Sequence, residues 1–418
     1  MSFRVRFLFV LMLFSLSAAA GAEGVPVGDL SLIPPKIESP APARYQNHAP
    51  RPYEGVPSIA VSPSGRLWVS IMTGGKDEDI DNYVDLLTSD DAGETWSEPL
   101  FALDTDGPVR TIDPGLWVDP QGRLWWFFAQ IYDFWDGRGG LWAMVCDQPD
   151  HADSPWHAPR RLCDGLMKNE PLVTSQGDWL MFVEHWDWLA DADNPPKWFR
   201  SRFPDSGFEG VEGVLGGEIP EWFHFPDPPL GASVYRSTDR GETWNYLASI
   251  PTPKEELSFS EMMAIEKNDH TFRLLMRVNS GLVESESHDG GKSWSAVHPG
   301  PLKNPSSRFY FARLKSGNVL LIKNGPLDVK TSRRDIIAYL SEDDGETFPY
   351  KLELDMRELP SYPNACQGTD GMIYAIHDYD RTGAGEVILD RFTEEDIKAG
   401  KLVSPNSRLH IIVRTNHK

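Results

Sequence analysis

The stretch Thr73-Gly74-Gly75-Lys76-Asp77-Glu78-Asp79-Ile80-Asp81-Asn82-Tyr83 places four carboxylates within eleven positions. A carboxylic acid in such a loop, its pKa raised by burial, can protonate a departing oxygen. The alternation Asp77, Asp79, Asp81 also has the look of a calcium loop. An EF-hand, however, would need glycine at 82 and glutamate at 88, where the chain has Asn82 and Thr88. Nor do the other metal-binding residue types form a site. The three cysteines, Cys146, Cys163 and Cys366, fit no zinc spacing, and neither do His48, His185 and His377. No metal and no cofactor is expected. Cys146 and Cys163 form a candidate disulfide.

The elements that must position such groups are announced by a repeat. Ser89-Asp90-Asp91-Ala92-Gly93-Glu94-Thr95-Trp96 reads S-x-D-x-G-x-T-W, and Ser237 to Trp244 repeats it. Ser287 to Trp294 has serine for threonine, and Ser341 to Phe348 ends in phenylalanine. A decayed fifth copy ends at Trp156. In each, the aspartate can accept from nearby backbone N–H groups, glycine supplies positive φ, and the aromatic ring packs beneath. Each intact copy follows an extended apolar run, so each sits in a hairpin turn.

The aromatic ends fall at 96, 156, 244, 294 and 348, in steps of 60, 88, 50 and 54. Blades of four-stranded sheet fit that period. A second series of strands follows glycine or polar turns, at Leu67, Leu124, Trp179, Phe272, Val319 and Met372. Six such strands predict an all-β, six-bladed β-propeller. The long step holds an insertion at about 187–230, rich in Pro, Gly and Trp, a candidate wall beside a central cleft. One short helix is expected over 393–397, ahead of a last strand over 409–413.

The organisation expected is a signal peptide over 1–22, an extended proline-containing arm over 23–50, and the propeller over 51–418. The basic start at Arg4 and Arg6, the short apolar run and the Ala20-Gly21-Ala22 end are those of an export leader. The run is too short to span a bilayer permanently. Cleavage would remove Arg4 and Arg6 and take the formal charge from −22 to −24. That charge disfavours nucleic acid and anionic membrane partners, and leaves a periplasmic or extracellular protein with no membrane contact after cleavage.

With these repeats the chain resembles the sialidase (neuraminidase) superfamily, in particular its Asp-box, or BNR-repeat, exo-sialidase-like branch, over nearly all of the mature length. The resemblance implies a tyrosine nucleophile assisted by glutamate, a carboxylic acid as acid/base, and three arginines gripping a substrate carboxylate. On Ser361-Tyr362-Pro363-Asn364-Ala365 it makes Tyr362 the nucleophile. Glu261, ahead of Phe272-Arg273-Leu274-Leu275-Met276-Arg277, becomes its base and Arg277 a clamp residue. Arg333 or Arg334 becomes another clamp residue. The family's Arg-Ile-Pro stands here as Gly55-Val56-Pro57, so the first arginine is missing, with Arg51 a candidate substitute. The acid falls on Glu78 or Asp79.

Residues at the start of each blade converge on a propeller's axis. Arg110 and Asp113 in Arg110-Thr111-Ile112-Asp113-Pro114 and Arg308 in Ser306-Ser307-Arg308 are therefore candidates to bind a polar sugar, joined by Arg138 in Asp136-Gly137-Arg138 on a loop of the second blade. The function implied is a secreted, retaining exo-glycoside hydrolase acting on a terminal, acidic sugar of a glycan. The alternatives are a polysaccharide lyase on the same fold and a non-catalytic glycan-binding propeller.

Overall fold

A computed structural model describes residues 32–416, apart from 48, 80, 106–108, 133–138, 152, 186–230 and 258. The expected leader, the start of the arm, the insertion over 187–230 and Arg138 with Asp136 lie outside the described residues. The rest forms six antiparallel sheets arranged as a six-bladed propeller.

Blade one comprises Glu54–Val61, Leu67–Gly74, Asn82–Ser89 and Phe101–Asp104, from axis to rim. Lys36–Glu38 adds a fifth strand to its outer edge, so this part of the arm is sheet. Blade two runs from Val109–Val118 through Leu124–Tyr132 and Gly139–Cys146 to Arg160–Asp164, and blade three from the two-residue strand Leu172–Val173 to Asn245–Ile250. Blade four has three strands, Met262–Glu266, Phe272–Val278 and Gly281–Ser287. Its fourth position shrinks to one bridge, Glu284 to His298, because Pro299 and Pro301 cannot donate to a ladder. Blade five spans Tyr310–Arg313 to Tyr350–Glu358. Blade six spans Pro360–Gln367, Ile373–Tyr379, Glu386–Phe392 and Arg408–Arg414. Among the described residues the α-helix is Glu394–Ala399, N-capped by Thr393 as its capping box requires.

The four octads join third to fourth strands and are built alike. In the second intact copy, Asp239 Oδ1 accepts from Thr243 N at 2.9 Å and Oδ2 from Thr243 Oγ1 at 2.6 Å, while Gly241 N donates to Ser237 Oγ at 2.8 Å. Gly241 has φ 84°, and a Cβ there would lie 2.6 Å from Trp125 Cη2 of the neighbouring blade. Glycine is thus required twice over, by conformation and by contact. The box aromatics plug the seams between blades: Trp294 packs with Phe182 and Phe272, and Trp96 against the cluster shared by Leu67 and Leu389. Trp156, the decayed copy, bridges to Cys146.

The Cys146–Cys163 disulfide does not form, and the three cysteines are free. Cys163 pairs across the strands with Leu141, five residues from Cys146 on the same strand. At ~3.4 Å per residue that is roughly 17 Å, beyond the ~7 Å limit for a disulfide.

His377, which has no metal spacing, has a structural partner on each side. Its Nε2 lies 3.2 Å from Asp355 of blade five and its Nδ1 3.3 Å from Asp390 of blade six. Burial would lower its pKa, but the two carboxylates push it up to about 9. A raised folded-state pKa stabilises fully below the unfolded value of about 6.5 and ceases to as pH rises through about 9. The wild-type thermal midpoint should therefore fall across that window. His377→Gln should have a flatter profile there, and parallel profiles for the two proteins would remove this ion pair from the account.

Candidate active site

Strand polarity decides which end of the ring can hold a site. Inner strands start, and second strands hand over to third, at one face; the octads all lie at the opposite face. The acidic loop 74–82, the turn 380–385, Glu261 and the segment before Arg334 therefore share a face. The four octads cannot contribute side chains to it.

Three inner strands carry the same device. Val56-Pro57, Asp113-Pro114 and Tyr362-Pro363 each sit at a register shift, and the residue before proline has φ of 51°, 50° and 54° respectively. Such left-handed, pre-proline residues are strained and break the in–out alternation. The bulge brings Asp113 and Tyr362 to the wall of one axial cavity of about 540 Å³.

That cavity gathers residues from five of the six blades and from the connections between them. Asp77, Glu78 and Tyr53 come from blade one or its lead-in, and Asp113 from blade two. Lys168 comes from the link to blade three, Phe259 from the link to blade four and Arg277 from blade four itself. Arg333 comes from blade five, and Tyr362 and Arg381 from blade six. Glu261 and Arg308 lie just behind the wall, fully buried. Arg277 Nη1 donates to Glu261 Oε2 and to Tyr362 Oη, both at 2.9 Å. Glu261 also has Lys168 Nζ at 3.6 Å and Arg308 Nε at 3.9 Å. Burial would raise its pKa, but Arg277, Lys168 and Arg308 together hold it down at about 2. Burial would likewise raise the Tyr362 phenol, yet Arg277, with Arg333 and Arg381, brings it below its usual value. Lys168 bridges Asp113 at 3.1 Å and Glu184 at 3.5 Å, which together with Glu261 overcome its burial and raise its pKa.

Four expected residues are placed elsewhere. Asp79 turns into its own loop, where Oδ2 accepts from Lys76 N at 2.8 Å and Oδ1 from Asp81 N at 3.0 Å. Arg334 is 42% exposed and pairs with Asp335 and Glu358, while its neighbour Arg333 lines the cavity. Consecutive strand residues point oppositely, so one of the two had to face away. Arg51 is consumed by the carbonyls of Tyr45, Gln46 and Asn47 and by Tyr83 Oη, which fasten the N-terminal segment. Arg110 Nη1 donates to Asn82 Oδ1 at 2.7 Å, so it props the acidic loop from behind. Glu78 lies in the cavity beside Tyr53 Oη at 3.3 Å and Arg381 Nη1 at 3.1 Å.

Arg381, Lys168 and Asp77 are cavity residues that the sequence reading did not single out. Arg381 Cζ stands 3.8 Å from the Tyr362 ring centroid, and its Nε donates to Asp378 at 2.9 Å. It fills the space above Gly55, where an added Cβ would lie 2.8 Å from Arg381 Cδ. Gly55 thus makes room for a guanidinium from blade six. That glycine was the available signal, though nothing in it pointed to position 381. Gly55→Ala should displace Arg381 and lower kcat/KM by about tenfold, or ~1.4 kcal/mol, without loss of fold. Unchanged kinetics on a cleaved substrate would show that Arg381 tolerates displacement.

Comparison with known proteins agrees with this geometry at the level of fold. A family model, the BNR repeat-like domain, matches residues 224–375. No curated protein sequence matches the chain. Among solved structures, the Hadza microbial sialidase Hz136 superposes with a TM-score of 0.60 at 18% identity, covering 82% of this chain and 66% of that one. The intramolecular trans-sialidase from Ruminococcus gnavus, solved with oseltamivir carboxylate, gives 0.59 at 12% identity, covering 90% and 100%. The NanB sialidase from Streptococcus pneumoniae gives 0.55 at 13%, covering 84% and 68%. These likenesses concern the fold.

Proposed function

Taking the chain as a sialidase-like BNR-repeat protein, we propose that it is an exported, retaining exo-glycoside hydrolase acting on a terminal, anionic sugar. One observation supports this above the rest: the phenol of Tyr362, the guanidinium groups of Arg277, Arg333 and Arg381, and the carboxyl groups of Asp77 and Glu78 all line the same cavity. The arginines suit a carboxylate, which a guanidinium grips through paired hydrogen bonds. Tyr362 attacks the anomeric carbon while Glu78 or Asp77 protonates the leaving oxygen, and water then releases the sugar with its configuration retained. The charge of −22 over the whole chain makes the local arginine cluster the feature that attracts an anion.

The same arginine-ringed phenol would serve a lyase as base, removing the proton beside a uronate carboxylate. A panel of aryl glycosides and oligosaccharides ending in sialic or uronic acids separates the readings. Proton NMR of the first-formed sugar should show the retained anomer. An unsaturated, ultraviolet-absorbing product would establish the lyase instead, and binding with no product would establish a lectin-like propeller.

A further inference from the structure

We propose that the turn 324–326 of blade five is a monovalent-cation site that the chain fills with its own ammonium group, that of Lys323, and that this tethered cation positions Arg333 at the cavity wall. The consequence for substrate rests on the glycosidase reading; the cation site itself does not.

Lys323 is the penultimate residue of the second strand of blade five, Val319–Asn324, and it is fully buried. Buried lysines are rare and are ordinarily paired with a carboxylate, because a lone charge in a low dielectric is costly. Lys323 forms no ion pair among the described residues. Its Nζ instead donates to three successive main-chain oxygens: Asn324 O at 2.7 Å, Gly325 O at 2.8 Å and Pro326 O at 2.7 Å. An ammonium has three N–H donors and no acceptor, so three oxygens match it completely. A neutral amine would turn its lone pair against one of them. The geometry therefore calls for the charged form.

Carbonyl oxygens converging on one point are how potassium-selective pores hold a bare monovalent cation. The turn is shaped for that convergence. Gly325 has φ 67°, and a Cβ there would lie 2.6 Å from Thr331 Oγ1, so glycine is what lets three oxygens in a row face one point. Tyr339 completes the cage: its Oη donates to Gly325 O at 3.0 Å, and its ring centroid lies 5.8 Å from Nζ.

The turn is tied to Arg333 through the main chain. Asn324 Nδ2 donates to Arg334 O and to Pro360 O, both at 3.0 Å, and Gly325 N donates to Asp335 O at 2.7 Å. Leu359 N, beside Pro360, donates to Arg333 O at 2.9 Å. The peptides following Arg333 and the strand start that grips its carbonyl are thus held by the same turn. Arg333 needs that support more than its neighbours do. Arg277 is fixed by Glu261 and Tyr362, and Arg381 by Asp378 and Glu78. Arg333 donates to the neutral Ser306 O at 3.1 Å and lies 5.0 Å from the Tyr362 ring centroid. Its place in the cavity is set chiefly by where its backbone is put.

The test replaces the tethered cation by a free one. Burial draws the lysine pKa down to about 7 against the pull of Asp328, so measurements are made at about pH 6, where the ammonium is intact. Amide hydrogen exchange at Leu359 reports directly on its bond to Arg333 O. In Lys323→Ala that amide should exchange about tenfold faster or more than in the wild type. Ammonium or potassium chloride should restore the wild-type rate, and lithium chloride at equal ionic strength should not. Lys323→Met keeps most of the stem without the charge and should also exchange faster. A Lys323→Ala rate within about twofold of wild type, equal rates in potassium and lithium, or a wild-type rate in Lys323→Met overturns the proposal. If Lys323→Ala folds only with ammonium or potassium, that supports it; if it folds in no salt, the Lys323→Met rate decides.

On a cleaved anionic glycoside, Lys323→Ala should raise KM about tenfold with a smaller change in kcat, and potassium should reverse it. An unchanged KM would overturn the positioning of Arg333. If no glycoside is cleaved, the glycosidase reading fails while the exchange result still decides the role of Lys323.

Discussion

Replacing Tyr362 by phenylalanine is expected to lower kcat on the order of 10⁴-fold or more while the protein stays folded. The magnitude is that of removing a covalent nucleophile whose partners act as a unit. The fold should survive because the substitution deletes one oxygen and keeps the ring on which Arg277, Arg308, Arg333 and Arg381 rest. The lost hydrogen bond to Arg277 is worth about 1.5–3 kcal/mol at most. Circular dichroism and thermal melting should therefore be near wild type. Mass spectrometry of the wild type quenched during turnover should show a sugar adduct on the peptide carrying Tyr362, absent from the variant. Turnover by the phenylalanine variant within tenfold of wild type would remove Tyr362 as nucleophile.

The largest effect on stability is expected at Arg414. Among the described residues each blade is assembled from one continuous stretch of chain, so no described strand crosses from the last blade to the first to close the ring. Side chains hold most of that seam, beside a main-chain bond from Glu54 N to Arg381 O at 3.0 Å. Arg414, at the end of the last strand, reaches into blade one, where Nη2 meets Glu54 at 2.8 Å and Nη1 meets Asp85 at 2.6 Å. All three side chains are buried. Burial pushes the Glu54 pKa up even with Arg414 in place, so that carboxylate depends on its partner. Arg414→Leu leaves two buried carboxylates around an apolar side chain and should cost about 3–5 kcal/mol in denaturant unfolding. Adding Glu54→Gln and Asp85→Asn should recover part of the loss, since the penalty is uncompensated charge more than lost volume. A loss below ~1 kcal/mol for Arg414→Leu would show that apolar packing alone closes the ring. The cluster uniting Ile59, Leu67 and Leu87 with Ile376 and Leu389 would then carry it.

The architecture was legible because each blade is a local unit. An octad needs its aspartate, glycine, hydroxyl and aromatic within eight residues, and the turn forms from those residues alone. Six glycine- or turn-led strands could therefore be counted from the chain before any contact was known. Tyr362, Arg277 and Asp113 could be named because each sits in a short, recognisable segment of its own blade. Glu78 and Asp79 could not be told apart, nor Arg333 and Arg334, because one residue of register reverses which way a side chain faces.

What the chain could not disclose by itself is the set of neighbours across the axis. Arg381 reaches the cavity only because Gly55, 326 positions earlier, leaves a gap that blade six happens to face. Lys168 becomes a third cation around Glu261 only when blades two, three and four meet. Residue types and local turns thus determined a six-bladed ring and most of its chemical groups. Ring closure alone decided which charges confront the phenol of Tyr362, because electrostatic partners are set by distance in space, and here nearly all of those distances span blades.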